Sequence, residues 1–383
     1  MWKVPLFDIR LDQAAINAVQ QVMRSGWLTM GDVTKNFESL FAEFLDIKNA
    51  IAVSNGTAAL HLANMALGIR DGDEVICPSL TFVAGANSII YVGAQPVFAD
   101  IAGYDQLNIS PEDIKAKITG RTKAVQVVHY AGHPCDMGPI KKIADENRLY
   151  IIEDCAHAPG AEYNGKLCGT IGDVGCFSFF TNKNMTTAEG GMVVTNNDQL
   201  ANTVRLMRSH GMTALTMDRY RGQTLSYDVV ELGFNYRMDE MRAALGVAQL
   251  NNLNDVNNKR YRFTQLYKDR LSHISGVTIP FRDSGSASAC HIFPVILDEN
   301  INREQFIAYL KHRGIQTSIH YPPAHLFDFY KRTFGFEEGI LPLTEAVARR
   351  EVTLPLYPSM GDDSVQYVCD AIEDYYGKGE KYR

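Results

Sequence analysis

The sequence has little of what marks a membrane, secreted or nucleic-acid-binding chain. No apolar run approaches the roughly 20 residues that a membrane helix needs. The start, "MWKVPLFDIRLDQ", lacks a signal-peptide apolar core, because Asp8 and Asp12 interrupt it. There is no Lys/Arg-rich block, and the formal net charge is −7, so nucleic-acid binding is not expected as the main activity. An anionic ligand must then be held by local groups against the global field. Paired cysteine spacing is also missing. Cys77, Cys135, Cys155, Cys168, Cys176, Cys290 and Cys369 are odd in number and irregular in spacing. Reduced thiols in a cytoplasmic protein are the expectation. "HYAGHPC" and "EDCAH" bring together His129, His133, Cys135, Cys155 and His157, but not in a paired zinc pattern, and no metal is expected. Neither an internal repeat nor a low-complexity segment is visible.

What is present is a core-forming composition and an alternating pattern. The 383 residues are 46% hydrophobic, enough for a large core and more than one domain. Residues 11–47 read as helical, with Gly26 as a C-cap and Phe37, Leu40, Phe41, Phe44 and Leu45 at helical spacing. Then short apolar strands alternate with helices. The strands are "AIAVS", "DEVICP", "QPVFAD", "KAVQVVHYAG", "LYIIED", "DVGCFSFF" and "GGMVVTN". Near-continuous apolar strands between helices predict a mostly parallel sheet buried on both faces, over about residues 50–210. Ligands of such sheets bind beyond the carboxyl ends of the strands. Those ends carry Ser54, Thr81, His129, Asp154 and Lys183. Residues 238–271 read as one long connecting helix, and the remainder as a smaller α/β domain in which "HYPPAHL" is a loop.

Three features can carry chemistry. Lys183 follows the apolar run "CFSFF" and precedes a Gly-Gly turn. A lysine there either snorkels to water or, desolvated in a cleft, condenses with a carbonyl. Asp154 ends a buried strand, where it either caps local structure or pairs with a cationic ligand nitrogen. In "SNGTAAL", Gly56 and Thr57 open a helix, which is either an ordinary turn or a phosphate site. Together the three match pyridoxal phosphate, which needs a lysine for its aldehyde, an acid for its pyridine nitrogen and donors for its phosphate.

The segment "IIEDCAHAPGAEYNGKLCGTIGDVGCFSFFTNKNMTTAEGGMVVT" closely resembles the DegT/DnrJ/StrS family of sugar aminotransferases. So do "SGWLTMGDVTKNFE", "AVSNGTAALHLA", "GDEVICPSLTFVA", "VHYAGHPCDM", "GFNYRMDEMRAALGVAQL" and "LPLYPSM", and the resemblance covers nearly the whole chain. It implies the α/β fold of type I pyridoxal phosphate enzymes. That fold has a large domain with a mostly parallel seven-stranded sheet between helices (here residues 1–245), and a small C-terminal α/β domain reached by a long helix (246–383). It also implies roles. Lys183 resembles the cofactor-bonding lysine that shuttles the Cα proton, and Asp154 the pyridine-nitrogen partner. His157 stands beside the ring, and Phe82 where an aromatic stacks on it. Gly56, Thr57 and Ser178 match phosphate contacts. Asn235 matches a phosphate contact supplied by the neighbouring subunit, which implies a homodimer with shared active sites. Thr29, His320 and Tyr321 lie in loops resembling those near the sugar. Arg208, Arg219, Arg221 and Arg237 are candidates for a diphosphate or are solvated surface arginines. Ala188 departs from the family, where many members have glycine. Lys183 argues against a related dehydratase branch that has histidine at this position.

The implied reaction takes the amino group of glutamate, leaving 2-oxoglutarate and the pyridoxamine phosphate form, and gives it to a keto carbon of a nucleotide-linked sugar. The motifs look most like members acting at C4, although C3 enzymes share almost all of them. A lyase or decarboxylase of the same fold, or a regulator with a vestigial site, are the other readings. The extended sugar-family motifs count against the first. Retention of Lys183, Asp154, His157 and Ser178 counts against the second.

Overall fold

The structure is a computed structural model that describes residues 2–214, 220–222, 226–282 and 287–377. Seven apolar segments form one sheet. They are β1 (Asn49–Val53), β2 (Glu74–Pro78), β3 (Gln95–Ala99), β4 (Thr122–Val128), β5 (Tyr150–Asp154), β8 (Val174–Ser178) and β9 (Gly191–Thr195). A small hairpin of β6 (Glu162–Tyr163) and β7 (Lys166–Leu167) lies outside it. The strand order is β1-β9-β8-β5-β4-β2-β3. β3, β2, β4, β5 and β8 run parallel, and β9 lies antiparallel between β8 and β1.

Side chains of a strand alternate between faces, and both faces are buried. Ile51 and Val53 join the core beneath the helices Gly56–Ala66 and Asp198–Met207. Ala50 and Ala52 face the other way, toward Phe37 and Phe41 of the helix Asp32–Leu45. The parallel connections bring the carboxyl ends of β1, β4, β5 and β8 to one edge, as the pattern of the sequence requires.

A second core is built from Val4 and residues 263–375. Its three-stranded antiparallel sheet orders β10 (Val277–Thr278), β11 (Phe293–Leu297) and β12 (Glu351–Leu354). Val4 bridges Ile315, which brings the start of the chain onto this unit. No helix is long and apolar enough to cross a membrane among the described residues.

Three expectations change. The single helix over 238–271 is two, Glu240–Asn251 and Leu253–Leu271. The Asn252 amide donates to Ala248 O and Asp12 Oδ2, and such local side-chain bonds compete with continued helix. The strand "KAVQVVHYAG" stops at Val128, and Tyr130–Gly132 forms a short turn in which Ala131 has φ 57°. Two helices, Asp328–Phe334 and Pro342–Arg350, and the strand β12 were not read from the sequence.

The helix Asp32–Leu45 begins at Gly31, which has no side chain to cap it. Glu240 supplies the cap from a distant part of the chain. Its buried carboxylate accepts the N–H groups of Gly31, Val33 and Thr34 at 2.8 Å and the Thr34 hydroxyl at 2.6 Å. Removing it strands several buried donors at once. Glu240→Ala is expected to lower stability by roughly 2–4 kcal/mol, read as a lower urea midpoint.

Candidate active site

Strand β5 ends at Asp154, and the adjacent β4 leads to His129, whose N–H donates to Asp154 O at 3.2 Å. Period-two alternation turns Glu153 and Asp154 to opposite faces. Glu153, fully buried, accepts His129 Nε2 at 3.0 Å and the N–H groups of Gly169, Ile171 and Gly172. Burial raises this carboxyl, but these hydrogen bonds outweigh it and hold the pKa below the usual value.

Asp154 is only 8% exposed, and its Oδ1 accepts the Ala156 N–H at 3.0 Å. Burial pushes its pKa up, partly offset by that hydrogen bond and by the charge of Lys183. Lys183 lies in the loop between β8 and β9, tied back by its N–H to Phe180 O at 2.9 Å. Burial brings its amine down to about 8, with Asp154 pulling the other way. Each group therefore feels the other's charge inside one desolvated cleft. Beside Lys183 opens a cavity of about 370 Å³, also lined by Phe7, Arg10 and Arg260.

His157 is buried, and its Nε2 meets the Tyr321 hydroxyl at 3.2 Å. The ring lies parallel to Tyr321 within 19° and 4.4 Å from the His291 ring. Burial, Lys183 and His320 hold it well below the usual pKa, so it is neutral. Its Nδ1 is buried without a partner among the described residues. Phe82 is 59% exposed and stands 6.3 Å from the Tyr321 ring.

The helix Gly56–Ala66 starts at the end of β1, with Asn55 as N-cap accepting the Ala58 N–H at 2.8 Å. The N–H groups of Gly56 and Thr57 meet no acceptor among the described residues. Among the described residues the Ser178 hydroxyl is engaged only by the Phe180 N–H, at 3.4 Å. A Cβ on Gly56 would stand 2.8 Å from Ser178 Cβ, so the cradle between them needs glycine. Two free N–H groups, a hydroxyl, a buried carboxyl, a neutral histidine with an orphaned nitrogen and a desolvated lysine fit pyridoxal phosphate.

The remaining expected residues are scattered. Asn235 is exposed and bridges Ser209, and Thr29 is exposed. Arg237 is half-buried, with Nη1 on the Ser209 hydroxyl at 3.1 Å. Arg221 pairs with Asp32 at 2.6 Å on the surface. Arg219 lies outside the described residues. Arg208 is neither a surface arginine nor a free cation. It is 5% exposed and committed to Glu38 and Ala52 O, because Ala52 sits in β1 beneath the helix it ends. The group His129, Glu153 and Cys168 has metal-ligand spacing, but the first two spend their donor atoms on each other and on backbone N–H groups.

Sequence reasoning missed Asn184 and His291, which hydrogen-bond each other at 2.9 Å behind His157. Asn184 sits next to the lysine, and that adjacency was the one available signal. It also missed Glu351 and Thr353, which hold His320.

Residues 10–373 match the DegT/DnrJ/EryC1/StrS aminotransferase family. The chain belongs to this family, and it is a pyridoxal-phosphate-dependent sugar aminotransferase of fold type I. It is 38% identical to the GDP-perosamine synthase of Vibrio cholerae, over 97% of this chain and 99% of the relative. Helicobacter pylori PseC, an aminotransferase involved in the biosynthesis of pseudoaminic acid, superimposes with TM-score 0.91 at 29% identity, covering 99% of each chain. Spr1654 of Streptococcus pneumoniae, solved in its PMP-form, does so with TM-score 0.91 at 27% identity, also over 99% of each.

Gly56→Ala forces the added methyl against Ser178 and displaces the helix start. A steric cost of about 1.4 kcal/mol predicts roughly tenfold weaker cofactor binding, measured by equilibrium titration of cofactor-free protein with pyridoxal phosphate.

Proposed function

We propose that the enzyme moves the amino group of L-glutamate to the keto carbon, at C4, of a nucleotide-linked keto-deoxysugar, making an amino sugar for a polysaccharide or a related product. The observation that carries this is the Lys183–Asp154 pair, an amine in the loop after β8 and a carboxyl at the end of β5, desolvated together next to a phosphate-type helix start. The GDP-perosamine synthase relative supports a nucleotide-linked sugar as acceptor. We read residues 1–245 as the cofactor-binding domain and 246–383 as the connecting helices and small domain.

Bound in this cleft, pyridoxal phosphate supplies the electron sink for the pair left when the donor's Cα proton departs. Asp154 keeps a proton on the ring nitrogen by offering a carboxylate where water is excluded. Gly56, Thr57 and Ser178 hold the phosphate with N–H and hydroxyl donors. Phe82, exposed beside Tyr321, would stack on the ring. His157 is neutral, so its Nδ1 is available to the ring's phenolic oxygen without adding charge. With the cofactor bound, the Lys183 amine, brought down to about 8, would take the donor's Cα proton and hand it to the cofactor's aldehyde-derived carbon. Arg237 engages only Nη1 among the described residues and is half-buried, so it can turn donors to a diphosphate, whereas Arg208 is buried and ion-paired to Glu38. The exposure of Asn235 supports its donation across a homodimer interface to the partner's phosphate.

Lys183→Ala and Lys183→Arg are expected to abolish the absorption band of the lysine-bound cofactor and all transamination while keeping the native circular dichroism. Turnover by either variant refutes the assignment. The substrate is tested with a panel of nucleotide-linked keto sugars and glutamate, scored by product mass and sugar NMR, with amination at C3 overturning the C4 reading. The pH dependence follows from the lysine. Burial disfavours its charged form, so the neutral amine that bonds an aldehyde accumulates as pH rises through about 8. The rate of cofactor uptake by cofactor-free protein should rise through that pH and then level off, as followed by stopped-flow absorbance.

A further inference from the structure

Glu351 opens β12 and is fully buried, with no ion pair among the described residues. A carboxyl in that position costs much unless it does something. Its Oε2 accepts the His320 backbone N–H at 2.8 Å, and its Oε1 accepts the Thr353 hydroxyl. The same Thr353 oxygen stands 2.9 Å from His320 Nδ1. The other ring nitrogen, Nε2, meets no partner among the described residues. His320 borders a small cavity with Phe7, Asn182 and His291, next to the lysine loop.

We infer that Glu351, Thr353 and His320 form a proton relay whose outer end, His320 Nε2, faces the substrate, with Glu351 as a positioning residue that sets the tautomer of His320. This rests on the reading that His320 lies beside the sugar.

The relay has two states, and the heavy atoms can stay in place between them. With Glu351 ionised, the Thr353 hydroxyl donates to it. The Thr353 oxygen must then accept from Nδ1–H, and Nε2 presents a lone pair. When one proton is taken up at Nε2, the Nδ1–H bond breaks and its proton passes to Thr353. The hydroxyl proton of Thr353 passes to Glu351 Oε1. The chain of hydrogen bonds is reversed, and Nε2 now presents N–H. One proton has entered, one charge has been neutralised, and His320 is neutral in both states. Oε2 keeps the His320 N–H throughout.

The surroundings favour this exchange near neutral pH. Burial raises the Glu351 carboxyl to about 8, opposed by the Thr353 and His320 hydrogen bonds and by Arg303, the nearby cation. Burial and the Lys183 charge hold His320 down to about 4, which keeps its ring from simply becoming a cation. The rings of His157 and His291 feel His320 but are themselves neutral, held far below the usual range. The Tyr130 and Tyr321 phenols, which feel the Glu351 charge, are pushed up and stay protonated.

The test uses the cofactor-loaded enzyme labelled with ¹⁵N-histidine, with His320 among ten histidines assigned from a His320→Gln spectrum. The expected result is Nε2–H below about pH 8 and Nδ1–H above it, with the two ring resonances exchanging positions. In Glu351→Gln and Thr353→Val the tautomer should no longer change with pH. Two variants are used because either alone could perturb folding, which circular dichroism reports. A single His320 tautomer from pH 6 to 9.5 in the wild type, or a pH switch that survives in both folded variants, overturns the relay. L-Glutamate is added separately, and the conversion of the cofactor band is recorded. Failure there sinks the functional reading, whereas the tautomer measurement needs no turnover.

Discussion

The site depends on one alternation in one strand. β5 ends in two successive carboxylates, and the pleat sends them to opposite faces of the sheet. Glu153 goes down among N–H groups that satisfy it completely, tying β4, through His129, to the loop around Gly169–Gly172. Asp154 goes up with only one hydrogen bond, from Ala156. The first is therefore a fixed anchor, and the second retains unused acceptor capacity in a desolvated place. A shift of one residue would exchange their faces, putting Asp154 among the N–H groups and Glu153 in the cleft.

Around Asp154 the structure keeps charge scarce. Burial raises the pKa of the acid and lowers that of the lysine, so the charged form of each is disfavoured there and is offset in part by the other's charge. His157, His291 and His320 form a belt that stays uncharged for the same reason. A neutral belt offers hydrogen bonds without adding positive charge to a cleft that must take up a protonated ring. Tyr321, from the unit built around β11 and β12, touches both Phe82 and His157 of the large sheet unit. The two cores thus meet at the site itself, not only through the two helices between them.

Much of this was legible in the residues. Apolar runs of five to seven between helices gave the parallel sheet, because a strand covered on both faces has no polar side to show. The ends of those runs gave Asp154 and Lys183, and the Asn-Gly step gave the helix start. The continuous helix over 238–271 was misread, because its apolar period runs on through Asn252 while the break comes from a bond to Asp12, 240 residues away. The residues leave Arg208 open between a diphosphate ligand and a solvated surface arginine, and the second of these does not hold. Arginines are mostly exposed, and only the fold brings Glu38 and Ala52 against this one.

The sequence by itself therefore determined the class of fold and the cofactor and nominated residues for its site, because these depend on local periodicity and on residue types near strand ends. Only the tertiary structure decided which of those residues are buried, which are neutral and which are already spent. Desolvation and hydrogen-bond partnership are made by side chains far apart in the chain. Glu351 shows this most plainly. In the sequence it is one acidic residue before an apolar run. In the fold it is a carboxyl cut off from water and joined through Thr353 to the ring of His320.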